Sequence, residues 1–500
     1  MIHYAIKGDG NMKTQPAAAV LDMEQAIALL KTTRPTFYRW LRSGRIKGMK
    51  VGRQWRFYRQ DIERFLKGEP PRIDLPASID PLVETLEEQL RAAGVKNLPA
   101  REENLVVHAA KLLIRLAVSS RASDIHIAGQ HTASQPKGTG SIRLRIDGLL
   151  KTVAEFDLRL VPAIIDCWKT MAACDLHEHD KPQDGRIMFD LDGEVIDLRV
   201  NFLPAVLGET VTACLLHRNQ ALMTLDRYDY APQDRERLLR ALAAPSGLVF
   251  CTGPTGSGKT TTLYACLNQV IRPEIKVVSI EDPVEYVLPG VVQVGVNMKA
   301  DVTFVTALRA IFRSDPDVIL VGEIRDKETL QICCQFALTG HLVLSTLHTD
   351  DAPSALMRMV NIGVAEFLVA DATKLIVAQR LMRRVCPECG VPHQPPTEVL
   401  NRARQVAEAG GLKWETLAAQ YRAAKGCPKC AQTGYRGRMV ISEMLEVTPE
   451  IGAALRRGVT MDQLRAIAIR EGMTTIAADA VRRAALGHTT LQEALRTAGK

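Results

Sequence analysis

The stretch Gly253-Pro254-Thr255-Gly256-Ser257-Gly258-Lys259-Thr260-Thr261 constrains this chain more than any other. It follows an apolar run, Leu248-Val249-Phe250-Cys251, and leads into the helical pattern Thr262-Leu263-Tyr264-Ala265-Cys266-Leu267. Strand, glycine-rich loop and helix in that order make a phosphate cradle. The glycines let the backbone curl so that several N–H groups face inward. The helix adds its positive end at the same spot. In such a loop Lys259 reaches the β- and γ-phosphates and Thr260 holds Mg²⁺. The pattern predicts a bound nucleoside triphosphate, with residues 253–261 as its cradle.

A chain of 500 residues exceeds what one core supports, so roughly three or four domains are expected. Its 46% hydrophobic and 24% charged content is that of ordinary globular proteins. The net charge of +8 is small for this length, so the location of the basic residues matters more than their excess. The most apolar helical stretch, residues 105–118, is broken by His108, Lys111 and Arg115, which argues against a membrane span. The first residues lack a signal-peptide core, and a cytoplasmic protein is expected, any membrane association coming through a partner or a surface patch.

Eleven cysteines in a chain without an export signal argue against a disulfide framework. Seven are scattered and read as small buried apolar residues. The other four form Cys386-Pro387-Glu388-Cys389 and Cys427-Pro428-Lys429-Cys430. Two such knuckles supply four thiolates to one tetrahedral Zn²⁺, with no open position, which describes a structural site. The segment between them is expected to be helical over 396–424.

Seven segments are expected. Residues 1–17 read as disordered, 18–67 as a small helical unit and 68–80 as a linker. An α/β domain over 81–223 is rich in alternating strands such as 141–147 and 195–200. Alternating strands and helices over 224–385 imply a parallel sheet. The zinc module fills 386–430, and a helical region closes the chain over 431–500.

In the amino-terminal unit, Asp22 is placed to cap a helix with Gln25 reaching back. A second helix starts at Thr33-Arg34-Pro35, residues 47–57 read as a hairpin turning at Gly52-Arg53, and a third helix follows at Asp61. Arg34, Arg39, Arg42, Arg45, Lys47, Lys50, Arg53, Arg56 and Arg59 crowd this segment, opposed nearby by Asp61 and Glu63. A short helix beside a basic hairpin is a workable footprint for duplex DNA. The stretch from Met23-Glu24-Gln25-Ala26 through Tyr38-Arg39-Trp40 to Val51-Gly52-Arg53-Gln54-Trp55-Arg56 resembles the winged helix-turn-helix modules of excisionase and MerR-type proteins. A docking site for protein is the competing reading, since fold alone does not fix function.

Three further apolar runs end in polar chemistry. Val277-Val278-Ser279-Ile280 leads into Glu281-Asp282-Pro283-Val284-Glu285, and Val318-Ile319-Leu320-Val321 into Gly322-Glu323-Ile324-Arg325-Asp326. The third, His341-Leu342-Val343-Leu344-Ser345-Thr346-Leu347-His348, carries a histidine at each end. Cleaving a γ-phosphate needs positioned charge, a polarised water and cations opposite the developing negative charge. Glu323 is the favoured base and a ligand to the Mg²⁺ shell, with Glu285 positioning water or metal; the reverse assignment stays open. His348 is a candidate beside them. His341 is a further catalytic candidate, with a satisfied core histidine as the nearly equal alternative.

These motifs closely resemble the Walker A, Asp-box, Walker B and His-box elements of the type II secretion and type IV pilus assembly ATPases. The likeness extends to Pro182-Gln183-Asp184-Gly185-Arg186 upstream and Ala378-Gln379-Arg380-Leu381 downstream. It implies a RecA-like ATPase core preceded by a smaller, PAS-like α/β domain, with ATP and Mg²⁺ between them. It implies a hexamer in which Arg186 and Arg199 serve as arginine fingers, and it matches Arg309 and Arg313 to further family arginines near the nucleotide. It implies inner-membrane platform and anchor proteins as partners, and pilin or pseudopilin assembly as the work done. Gly434-Tyr435-Arg436-Gly437-Arg438 follows the tetracysteine element here as in the assembly ATPases. The basic amino-terminal module departs from the family pattern and leaves open a paralogue linked to DNA uptake or regulation.

Overall fold

The computed structural model describes residues 20–42, 46, 48–51, 54–68, 75–132, 135–216 and 224–498. The expected disordered start lies outside them, as do Gly52-Arg53, Arg45 and Lys47 and the side chains of Arg42 and Lys50. The chain divides into two units, residues 1–215 and 216–500.

The first unit opens with β1 (Val20–Asp22), α1 (Met23–Leu29), α2 (Arg34–Arg42), β2 (Met49–Val51), β3 (Gln54–Tyr58) and α3 (Arg59–Leu66). Asp22 caps α1 as its sequence predicts: Gln25 N–H donates to Asp22 Oδ1 at 2.8 Å, and Asp22 N–H to Gln25 Oε1 at 2.9 Å. The small core gathers Ala26, Phe37, Ile46, Phe57 and Ile62, with Phe37 edge-on to Phe57. Trp40 and Trp55 pack against it, whereas Arg34, Arg39 and Arg59 are exposed.

Beyond it come α4 (Asp80–Ala92), α5 (Leu105–Ser119), β4 (Ala122–Thr132), β5 (Gln135–Ile146), β6 (Leu149–Asp157), α6 (Val161–Met171), β7 (Gln183–Leu191), β8 (Glu194–Leu203) and β9 (Thr210–Leu216). The strands form one sheet in the order β6-β5-β4-β9-β8-β7. Alternation along β8 turns Ile196, Leu198, Val200 and Phe202 inward, onto a core that includes Trp168 of α6 and Leu112 and Ile114 of α5.

The second unit contains α7 (Pro232–Leu242), β10 (Gly247–Thr252), α8 (Lys259–Val270), β11 (Val277–Glu281), β12 (Val291–Gly295), α9 (Phe304–Ile311), β13 (Val318–Val321), α10 (Lys327–Leu338), β14 (Leu342–Leu347), α11 (Ala352–Asn361), α12 (Glu366–Ala372) and β15 (Thr373–Val385). After these come β16 (Gly390–Pro392), α13 (Thr397–Ala409), β17 (Arg422–Ala424), β18 (Tyr435–Glu446), α14 (Pro449–Arg456), α15 (Met461–Arg470), α16 (Ile476–Ala485) and α17 (Leu491–Ala498). Seven strands make a sheet in the order β12-β11-β13-β14-β10-β15-β18. Neighbouring strands in it pair parallel throughout except β15 with β18. Leu248 and Phe250 enter the core on one face and Val249 and Cys251 that on the other, so β10 is covered on both sides. This is why its sequence is continuously apolar.

Two expectations about the carboxyl-terminal part are corrected. The helix expected over 396–424 ends at Ala409, and residues 422–424 form β17, paired with β16. Gly410 and Gly411 stop it. Gly411 has φ +88°, and a Cβ on Gly410 would lie 2.2 Å from Thr475 Oγ1. The region expected to be helical from 431 instead begins with β18, twelve residues long, and is helical only after Glu446. Its run Met439-Val440-Ile441-Ser442-Glu443-Met444-Leu445 is wholly buried, which suits a strand added to a sheet covered on both faces.

Glu493 on α17 is buried and accepts hydrogen bonds from Arg383 of β15 at 2.7 and 2.9 Å and from Arg496. Burial alone would raise its carboxyl pKa; the two guanidinium groups outweigh it and hold the group at about 2, below the ordinary 4.5. A depressed carboxylate stabilises the fold above pH 4.5, and that contribution is lost as pH falls towards 2. It amounts to about 3 kcal/mol. The stability difference between wild type and Glu493→Gln should therefore shrink in chemical denaturation between about pH 6 and pH 3. A difference independent of pH would contradict the account.

Candidate active site

Because β10, β11, β13 and β14 run parallel, their carboxyl ends lie at one edge of the sheet, where ligands of open α/β sheets collect. The loop of residues 253–258 leaves β10 there and delivers Lys259 as the first residue of α8. Gly253 has φ +146°, and a Cβ on it would fall 2.3 Å from the carbonyl oxygen of Gln379. No other residue fits. Lys259 is buried and its ammonium donates to the carbonyls of Gly253 at 2.8 Å and Pro254 at 3.2 Å. Burial lowers its pKa, while Cys251 and Glu323 pull the other way.

A cleft of about 440 Å³ opens over this edge. Residues 255–261 line it together with Glu281, Asp282, Glu285, Gly322, Glu323, Thr346 and His348. Glu323, mostly buried, meets His348 Nε2 at 3.4 Å through one oxygen and Arg325 at 2.5 Å through the other. Glu281 is fixed from three sides. Ser279 Oγ donates to it at 2.6 Å, Gln293 Nε2 at 3.1 Å, and the Tyr264 hydroxyl also donates. A carboxylate pair, a histidine and a lysine around one anion-sized space can bind phosphate, orient water and accept its proton.

The structure does not bring every expected residue to this cleft. His341 stands just before the amino end of β14, roughly 23 Å of extended chain away from His348. Its Nδ1 lies 3.1 Å from the Phe336 carbonyl, and its ring packs against Phe336 and Phe312. The expectation that His341 is catalytic is therefore corrected for this cleft: it is half-buried at the opposite end of the strand, and the two ends of a strand cannot face one site. Arg309 and Arg313, expected near the nucleotide, lie on and just after α9 and are absent from the lining. Arg309 donates to Glu328 at 2.6 Å, and Arg313 to the Arg309 carbonyl at 2.8 Å. In the first unit Arg186 and Arg199 face each other in register across β7 and β8. Arg186 Nε donates to the buried Asp197 at 2.7 Å, which raises its pKa further.

Sequence reasoning gave Gln379 no role. It is fully buried on β15, and its amide donates to the Ser257 carbonyl and accepts from Thr262 Oγ1, each at 2.8 Å. It thus braces the loop against α8 from a strand more than a hundred residues away. The available signal was a lone amide in the apolar run Leu375-Ile376-Val377-Ala378-Gln379.

The four knuckle cysteines converge, their sulfurs all within 4.8 Å of one another. The sulfurs lie 3.9 Å apart for Cys386–Cys427, 3.8 Å for Cys389–Cys430 and 3.7 Å for Cys427–Cys430. A zinc–sulfur bond of about 2.3 Å sets the edge of a tetrahedron at about 3.8 Å, so the donors fit zinc. Burial disfavours the Cys430 thiolate, but N–H bonds from Cys427 and Gly434 outweigh it and bring the thiol down to about 7.

The model of the family described as type II/IV secretion system protein matches residues 100–496. The chain belongs to that family. It is a P-loop ATPase with a helix-turn-helix domain, whose own family model matches residues 20–70. It is 40% identical over 410 residues to the putative type II secretion system protein E of Escherichia coli K12, covering 81% of this chain and 80% of that one. It is 42% identical over 391 residues to the type II secretion system protein HxcR of Pseudomonas aeruginosa, covering 78% and 77%. The type IV pilus assembly ATPase PilB of Thermus thermophilus is 40% identical over 385 residues, 77% of this chain and 42% of that protein. In fold, the secretion ATPase resembles DotB of Legionella pneumophila, with TM-score 0.57 and 20% identity over 81% of this chain and 98% of that one. It also resembles the pilus retraction motor PilT, with TM-score 0.51 and 22% identity over 77% and 95%.

Metal analysis of the purified protein should find zinc in the wild type and none after Cys389→Ser. The variant should also melt at lower temperature in the 386–434 region, read by hydrogen exchange. Full zinc retention by the variant would contradict a four-thiolate site.

Proposed function

We propose that the chain binds ATP at the carboxyl edge of the second unit's sheet and hydrolyses it to drive assembly of pilin-like subunits. The observation that carries this reading is the convergence of the residue 253–261 loop, Glu285, Glu323 and His348 on one cleft. Residues 253–261 cradle the phosphates and Lys259 takes the terminal ones. Glu323 accepts the proton of the attacking water, His348 orients that carboxylate, and Glu285 positions water from the other side. Thr260 and Glu323 would hold Mg²⁺, which when bound neutralises phosphate charge. Arg186 and Arg199 act as arginine fingers, a task suited to a planar group that stays charged when desolvated.

The working form in this reading is a homo-hexameric ring, cytoplasmic and held at the inner membrane by platform and anchor proteins. It is supported by the family and by the fact that no helix among the described residues is long and apolar enough to cross a membrane. Glu323→Gln should lower phosphate release by at least roughly 10²-fold while leaving ATP binding intact. Unchanged turnover would refute the assignment of the base.

A second reading, an ATPase linked to duplex DNA, is favoured by the helix-turn-helix match and the exposed Arg34, Arg39 and Arg59. It predicts duplex binding that weakens steeply with salt. Binding measured by fluorescence anisotropy should disappear in Arg34→Ala/Arg39→Ala; salt-insensitive or absent binding by the wild type would leave the module a protein-docking unit.

A further inference from the structure

Glu443 lies on β18, beyond every motif assigned to the nucleotide, and is only 3% exposed. Its two oxygens are shared between two helices. One accepts the backbone N–H of Ala352 at 2.6 Å, the first residue of α11. The other accepts the N–H of Ile476 at 3.1 Å, the first residue of α16. A single carboxylate thus meets the positive ends of two helix dipoles and satisfies a donor on each. Burial pushes this carboxyl up to about 7 and Asp351 adds to the rise; the two N–H donors and Arg465 of α15 oppose it.

The α11 side of this tether runs directly to the cleft. Asp351 caps α11 through the N–H of Ser354 at 2.7 Å, and its other oxygen accepts from Arg465 at 2.5 Å. Thr349 Oγ1 donates to the Asp351 carbonyl at 3.0 Å, and Thr349 N–H donates to Thr252 Oγ1 at 2.9 Å. Thr252 is the last residue of β10, just before the phosphate loop, and Thr349 follows His348. His348 has no intervening residue in which to absorb a shift of that segment.

The α16 side is anchored as firmly. Arg483, fully buried near its far end, donates to the carbonyl of Tyr228 at 3.0 Å, and Asp479 of the same helix accepts the N–H of Ser442 at 3.1 Å. The helix is therefore a fixed support and the 348–351 segment is the part being held.

We propose that Glu443 is a positioning residue for hydrolysis: by tying the first turn of α11 to α16 it sets where His348 stands against Glu323. The inference rests on the assignment of Glu323 and His348 given above. Misplacing a group at a reacting centre by about 1 Å costs up to roughly 10² in rate. Loss of the tether should therefore lower kcat with little change in the KM for ATP, because the phosphate loop is braced separately by Gln379.

The test is steady-state ATP hydrolysis by full-length Glu443→Gln, whose amide turns a donor towards one of the two N–H groups. Ile476→Pro is the second variant. It keeps Glu443 and removes one donor at a helix position that tolerates proline, and Thr475 before it is already extended, ψ 154°. Glu493→Gln, which breaks a buried ion pair between α17 and β15 while leaving Glu443 and both its N–H donors in place, controls for general destabilisation.

Both test variants should lose at least about 10-fold in kcat, with KM within about 2-fold of wild type and the control unaffected. An unchanged kcat in either folded variant, or an equal loss in the control, overturns the inference. Should Glu443→Gln fail to fold, Ile476→Pro decides alone. If Glu323→Gln retains full turnover, the site assignment fails first; if it is inactive while the tether variants are normal, positioning by Glu443 alone is refuted.

Discussion

The parallel direction of β10, β11, β13 and β14 is the constraint on which the rest of the second unit depends. A parallel sheet fixes all its carboxyl ends at one edge, so residues at 253–261, 281–285, 323 and 348 meet although the chain separates them. Burial on both faces is what permits this geometry, and it explains why these strands are mostly apolar, broken inside only by the small hydroxyl residues Ser279, Ser345 and Thr346. The polar chemistry is confined to the positions where the runs stop. A site built this way takes its precision from rigid strands, while the loops contribute only short reaches beyond them.

Much of this was legible locally. The loop glycines, Lys259 and Glu323 are read from spacing because each follows its own strand within a few residues. The two C-x-x-C pairs are equally local, and the sulfur separations near the edge of a zinc tetrahedron agree with them. The amino-terminal cap at Asp22 is a pattern of four residues and appears as expected. His341 shows where local reading stops: a histidine at either end of an apolar run looks alike until the direction of the strand is known.

What stayed hidden was non-local. Gln379 braces Ser257, and Glu443 holds Ala352 and Ile476, across separations of 33 to 122 residues. No periodicity within one segment announces a partner so distant. The carboxyl-terminal strand β18 was obscured for a related reason. It completes the sheet antiparallel to β15, and its apolar run is equally compatible with a buried helix until that partner is present. The end of α13 was decided by tertiary contact, since Gly410 is required by the close approach of Thr475 and Ala478.

The central claim is that a phosphate chain held near Lys259 is cut by water at this sheet edge. It is tested most directly by phosphate release from the full-length protein supplied with ATP and magnesium, run beside Lys259→Ala. The account predicts sustained turnover by the wild type and a fall of at least roughly 10²-fold in the variant. Equal turnover by the two proteins, or none by the wild type, would contradict it.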